Sequence, residues 1–343
     1  MRTPTTIAAL AAAAAVATAG FSPPGATTTA PTLQDQASRP AAVAGPARPS
    51  ELWGGIFTTP SGTTVRLSAT AAYATRGNAW LQEWANWIDA HLFHAAELSA
   101  AQVVFATPSE VEAICGERTA GCYSGADARI VAPGEDLPTG LLAKSVLAHE
   151  YGHHVAAHRD NPPWAAVAYG PKRWATYEHV CERTVAGQAF PGDEGSHYAQ
   201  NPGEAWAQTY ATASQSLLVP LDPTWPSPGA WSYDVMFYPS PQSLQLARVD
   251  ATSPWARGRS TQWSGRLTKQ HRHAARTIAT PHDGTLTLSA RPASLLLTLR
   301  DATNRALLGR WGSTVTFTVC GSRRIEVTAA GASGRYTITA TTP

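Results

Sequence analysis

The run from Leu141 to His158, LLAKSVLAHEYGHHVAAH, constrains this chain more than any other segment. Leu142, Val146, His149 and His153 fall at i, i+4, i+7 and i+11, a single helical stripe. Pro138 and Gly140 punctuate its start, with Thr139 between them as an N-cap, and Asn161-Pro162-Pro163 ends it. A helix here carries His149 and His153 on one face, one turn apart, so two imidazole nitrogens can meet one metal ion. Glu150, next to the first histidine, can then reach a water at that ion as a general base. Two histidines in an apolar stripe also suit an ordinary packed core, and the rest of the chain must decide between the two. Gly152 stands out, because an interior glycine costs about 1 kcal/mol relative to alanine. A tight helix contact or a backbone approach near the metal would account for it.

Catalytic zinc has three protein ligands and one open position. A third histidine ten residues after the first, the metzincin arrangement, is absent: position 159 is Arg, His158 is out of step, and the glycine position is Ala156. The alternative is a glutamate on a second helix, and NPGEAWAQTYA, residues 201–211, offers Glu204. Asn201 can cap this helix, Pro202 suits its first position and Glu204 projects from its first turn. Ala205 and Ala207 are small enough for close packing against the HEYGH helix. An acidic residue is also favoured at that place by the helix dipole alone.

HEYGHH followed downstream by NPGEAWA resembles the gluzincin-type metallopeptidases, especially the secreted zinc peptidases of high-GC bacteria, over residues 52–256. The resemblance implies a zincin fold, one Zn²⁺ held by His149, His153 and Glu204, and Glu150 as catalytic base. Such families carry an acidic residue one turn after the third ligand, where it orients a histidine ligand through its free ring N–H. Here that position is Gln208, a neutral acceptor that makes the imidazole a weaker donor. Peptide hydrolysis also needs a donor for the developing oxyanion. His197 and Tyr198, just before the Glu204 helix, are the catalytic candidates for that task, with Tyr210 and Tyr233 behind them; each also fits as a residue without a catalytic part.

In a zincin the substrate lies along an edge strand, and Ala128–Ala132, bounded by Gly125-Ala126-Asp127 and Pro133-Gly134, is the expected edge. Thr63–Leu67 and Gln102–Phe105 read as two more strands. Between them Trp80, Leu81, Trp84, Trp87, Ile88 and Leu92 recur at helical spacing, as a core helix does. Pro220, Pro223, Pro226 and Pro228 mark a loop, and Ser240–Asp250 a last helix, with Trp255 closing the unit. The expected class is α+β: a small mixed sheet with the active-site helix and a helical second half, followed by an all-β sandwich. The sandwich is read from period-two runs at 285–288, 295–299, 315–319, 325–327 and 336–339. Its layout resembles the bacterial pre-peptidase C-terminal domain.

Arg2, the apolar stretch Ile7–Val16 and Ala17-Thr18-Ala19 form a signal-peptide pattern over residues 1–19, too short to span a bilayer. Residues 20–50 read as a disordered Ala/Pro/Thr-rich linker or short pro-segment. The expected units are then 51–256, the metallopeptidase domain, and 257–343, the sandwich. No later apolar run of about twenty residues follows, so a soluble, secreted protein free of the membrane after cleavage is expected. Four cysteines suit export. Cys115 and Cys122, separated by GERTAG, are expected to form a disulfide, whereas Cys181 and Cys320 are either a staple or two buried thiols. A net charge of +2 with 15% charged residues gives no strong field. Arg272, His273 and Arg276 read as a solvated face, and a nucleic-acid partner is not expected. No signal of an oligomeric state is present. Three function classes follow. The first is a secreted zinc endopeptidase acting on proteins or peptides, the second an impaired zincin used for binding or adhesion, the third a zinc hydrolase of cell-wall peptides.

Overall fold

A computed structural model of the chain describes residues 52–138, 141–215, 237, 239–321 and 323–343. The signal-peptide pattern, residues 20–50, Thr139 and Gly140, the proline-rich loop at 220–228 and Tyr233 lie outside the described residues.

Two antiparallel strands, β1 (Trp53–Thr58) and β2 (Thr64–Ala69), lead into helix α1 (Gly77–His91). The apolar face read from the sequence is the buried one, with Leu81, Trp84, Ala85 and Ile88 inward. Then come β3 (Gln102–Ala106), α2 (Pro108–Cys115), β4 (Cys122–Ser124) and β5 (Arg129–Pro133). The five strands form one mixed sheet in the order β1-β2-β3-β5-β4, with β2, β3 and β5 parallel and both outer strands antiparallel.

The strand expected at 128–132 is therefore present as β5 but is not the edge. Its residues Ile130 to Pro133 are all buried, as befits an inner strand. The edge is the three-residue β4, which the Cys115–Cys122 disulfide folds back so that Cys122 opposes Val131 and Ser124 opposes Arg129.

Helix α3 (Ala143–Ala157) carries HEYGH. The sequence stripe describes a one-sided helix, yet every residue from Val146 to Ala156 is buried. One side packs on β4 and β5 and the other on α7 (Pro202–Gln215). Its first N–H, on Ala143, donates to Asp136 Oδ1 at 2.9 Å, so a carboxylate caps the helix.

Between α3 and α7 the chain makes a short hairpin, β6 (Asp160–Asn161) with β7 (Trp164–Ala165), and three short helices. These are α4 (Ala166–Tyr169), α5 (Lys172–Tyr177) and α6 (Val180–Val185). Helix α8 (Pro241–Thr252) follows, close to the expected span.

Gly152 is where α3 and α7 touch. A Cβ there would lie 2.8 Å from Ala207 Cα and 3.0 Å from Ala207 O, closer than packed atoms come. The Gly152 carbonyl accepts a hydrogen bond from Trp206 Nε1 at 2.8 Å. Gly152→Ala, which by helix propensity alone would stabilise, is expected instead to destabilise by about 1–3 kcal/mol through overpacking. The shift of the urea midpoint measures it, and a midpoint that rises would show that the helices separate freely.

The remaining strands are β8 (Ser260–Leu267), β9 (His273–Ala279), β10 (Gly284–Arg291), β11 (Leu296–Asp301), β12 (Leu307–Trp311), β13 (Thr314–Val319), β14 (Arg324–Ala330) and β15 (Gly334–Thr341). They form two antiparallel four-stranded sheets, β13-β10-β15-β8 and β12-β11-β14-β9. Alternate residues such as Leu286, Leu288, Leu297, Leu299 and Ile325 fill a core of their own. Strands β8, β9 and β12 escape a pattern reading because they bury few large apolar side chains.

The sandwich core is separate from the first core, but the boundary is tightly tied. Cys181 on α6 is disulfide-bonded to Cys320 at the end of β13. The fully buried Lys172 ammonium donates to Pro162 O at 2.7 Å and Asp283 O at 2.9 Å, and the Asp283 N–H donates to Thr176 Oγ1 at 3.1 Å. Burial pushes the Lys172 pKa down to about 8, against the pull of the nearby acidic groups Asp283, Asp160 and Asp250.

Candidate metal centre

Helix geometry brings the two histidines of HEYGH together, and the α3–α7 contact adds the glutamate. His149 Nε2 lies 3.1 Å from Glu204 Oε2, His153 Nε2 lies 3.3 Å from Glu204 Oε1, and the two Nε2 atoms are 3.3 Å apart. Among the described residues these three form a group of metal-ligating side chains whose donor atoms converge within 4.8 Å of one another. All three are buried. The group could hold a metal ion.

The charge state suits that. Burial drives the His149 imidazole below its usual range, towards the neutral form, against the pull of Glu204. Burial alone would raise the Glu204 carboxyl, but the charge of His153 and hydrogen bonds with both histidines reverse this and hold it well below the carboxylate range. Without a metal, histidine N–H groups balance the carboxylate; a bound cation would take the place of those protons.

Gln208, one turn beyond Glu204 on α7, puts Oε1 3.2 Å from His149 Nδ1. With the proton assigned to Nδ1, the amide oxygen accepts it and Nε2 keeps its lone pair for a metal. The helix that carries both residues starts as its sequence reads: the Gly203 N–H donates to Asn201 Oδ1 at 3.0 Å, with Pro202 in the first position.

Glu150 is buried beside the histidines, and Gly121 packs against it. A Cβ at position 121 would come within 3.0 Å of Glu150 Cγ and Oε1 and 2.7 Å of Val146 Cγ1, so only glycine leaves that carboxylate its room. Sequence reading overlooked Gly121; its place next to Cys122 at the start of β4 was the available signal. The sixth residue of HEYGHH, His154, faces the other way, with Nε2 bonded to Glu97 O at 2.9 Å.

The two catalytic candidates ahead of α7 part company. Tyr198 Oη donates to Glu204 Oε2 at 2.6 Å, which brings it to the triad. His197 instead pairs with Asp193 Oδ2 at 2.8 Å and stacks on Phe190 with ring centroids 3.9 Å apart. Tyr210 is turned from the triad, its hydroxyl donating to Phe93 O at 2.6 Å.

No protein-family profile matches the chain, and no curated protein does. One solved structure that it is similar to is the crystal structure of Yersinia pseudotuberculosis-derived mitogen, at 10% identity, covering 25% of this chain and 87% of that one, with a TM-score of 0.21. A likeness that slight carries no argument about fold or function.

Proposed function

We propose that the protein is a secreted zinc-dependent endopeptidase, with His149, His153 and Glu204 as metal ligands and Glu150 as general base. The observation that carries the reading is the spacing of the three donors. Zinc bonds at tetrahedral angles set ligand atoms about 3.3–3.5 Å apart; the two Nε2 atoms here are 3.3 Å apart, and each faces a different oxygen of Glu204, at 3.1 and 3.3 Å. A bound zinc ion supplies Lewis acidity, which acidifies water and polarises the scissile carbonyl. The chain supplies the rest. Glu150 accepts the proton of the attacking water and delivers it to the leaving amine as the C–N bond breaks. Gln208 fixes the ring orientation and tautomer of His149. Burial of the ligands keeps bulk water from competing for the donors.

Two disulfides support export, since such bonds persist in oxidising compartments. Among the described residues no helix is long and apolar enough to cross a membrane. Tight anchorage of the sandwich to α5 and α6 favours a form in which it stays attached.

The test is metal analysis of the purified protein together with digestion of casein and a peptide library. About one zinc per chain is expected, with cleavage abolished by a chelator and restored by added Zn²⁺. Zinc bound without cleavage of any substrate would move the assignment to a binding module, and cleavage that survives full metal removal would end the proposal.

A further inference from the structure

Resting on the metallopeptidase reading above, the geometry points to Tyr198 as a positioning residue, whose hydroxyl sets the Glu204 carboxylate in the orientation that completes the metal site. The phenol donates to Glu204 Oε2 at 2.6 Å, the short distance of a bond to an ionised acceptor. A glutamate side chain has three rotatable bonds, and only one arrangement presents its oxygens to both histidines. The phenol occupies one lone pair of Oε2 and leaves Oε1 and the remaining lone pairs turned to the His149 and His153 nitrogens.

Donor and acceptor are fixed by one residue between them. Asn201 Oδ1 accepts from the Gly203 N–H, which starts the Glu204 helix, and from the Gly192 N–H, which pins the preceding loop, each at 3.0 Å. Its Nδ2 donates to Glu194 Oε1 at 2.7 Å. The loop returns through Tyr198 itself, whose carbonyl accepts from the Asn201 N–H at 3.1 Å. Asn201 is buried, so this clamp works away from competing water. Tyr198 and Glu204 are therefore held on either side of a single cap, six residues apart.

The test compares wild type with Tyr198→Phe, which removes only the hydroxyl, by chelator competition for zinc. Expected is a rise of about 10–100-fold in the zinc dissociation constant, as is typical when a partner of a metal ligand is lost, with the metal-free protein still cooperatively folded at a modestly lower melting temperature, since the bond to the buried carboxylate is lost there as well. Replacing Tyr198 with 4-aminophenylalanine, which keeps a donor at the same place, should return the affinity to near the wild-type value. An unchanged zinc affinity with a lowered kcat would overturn the proposal and make Tyr198 a donor to substrate. Should Tyr198→Phe fail to fold, the 4-aminophenylalanine protein decides: near-wild-type affinity supports the positioning role and a loss beyond about tenfold overturns it. A wild type that holds no zinc brings down the underlying reading as well, which separates the two failures.

Discussion

On the proposed metallopeptidase reading, Glu150→Gln is expected to lower kcat on a peptide substrate by about 10²–10⁴-fold, the usual contribution of a positioned general base, while the bound metal is kept. The argument is one of shape and charge. Glutamine matches glutamate in size, so it fits the space that Gly121 leaves, where a Cβ would already come within 3.0 Å of the carboxylate. It cannot take a proton. Glu150 is not among the three converging donors, so the ion has no reason to leave. Steady-state kinetics beside metal analysis reads both quantities. A variant that loses its zinc would make Glu150 a ligand, and one that retains the wild-type rate would place the base elsewhere.

The second large effect belongs to the Cys181–Cys320 bridge. Replacing both cysteines with serine is expected to destabilise the protein by about 2–5 kcal/mol. The bridge spans a sequence separation of 139 residues, far longer than the seven of Cys115–Cys122, so its loss releases much more freedom in the unfolded chain. The bridge also joins two structures with separate apolar cores. Denaturant unfolding followed by tryptophan fluorescence checks this. A single transition moved to lower urea is the expected result, because Lys172 and Thr176 still tie the sandwich to α5. Two separate transitions would show that the disulfide alone couples the halves, and an unmoved midpoint would show that it contributes nothing.

The legible part of the site was the part that local geometry dictates. Histidines four apart on a helix share a face whatever surrounds them. The cap at Asn201 and proline at the first turn announce a second helix with Glu204 on it. The sandwich strands with strict alternation, such as β10 and β11, could be read for the same reason, since period two is a property of the strand itself. The part that could not be read depends on what comes from elsewhere in the chain. Nothing local in Arg129–Pro133 says that a three-residue strand will cover its free edge. The stripe on α3 gives no hint that α7 buries the opposite side. The choice between His197 and Tyr198 turned on how the loop closes against Asn201, and neighbours in sequence point in different directions from a turn.

By itself, then, the sequence determined two histidines and a glutamate poised on helices, four cysteines in an even set, and a β-rich C-terminal region, because periodicity, caps and turns act over a few residues. Only the tertiary structure decided that Glu204 meets the histidines, that Tyr198 and not His197 reaches that carboxylate, and that Gly152 and Gly121 must lack a side chain. The physical reason is close packing: donor atoms converge and a Cβ is forbidden only where two distant segments come to rest against each other, and no local pattern encodes that distance.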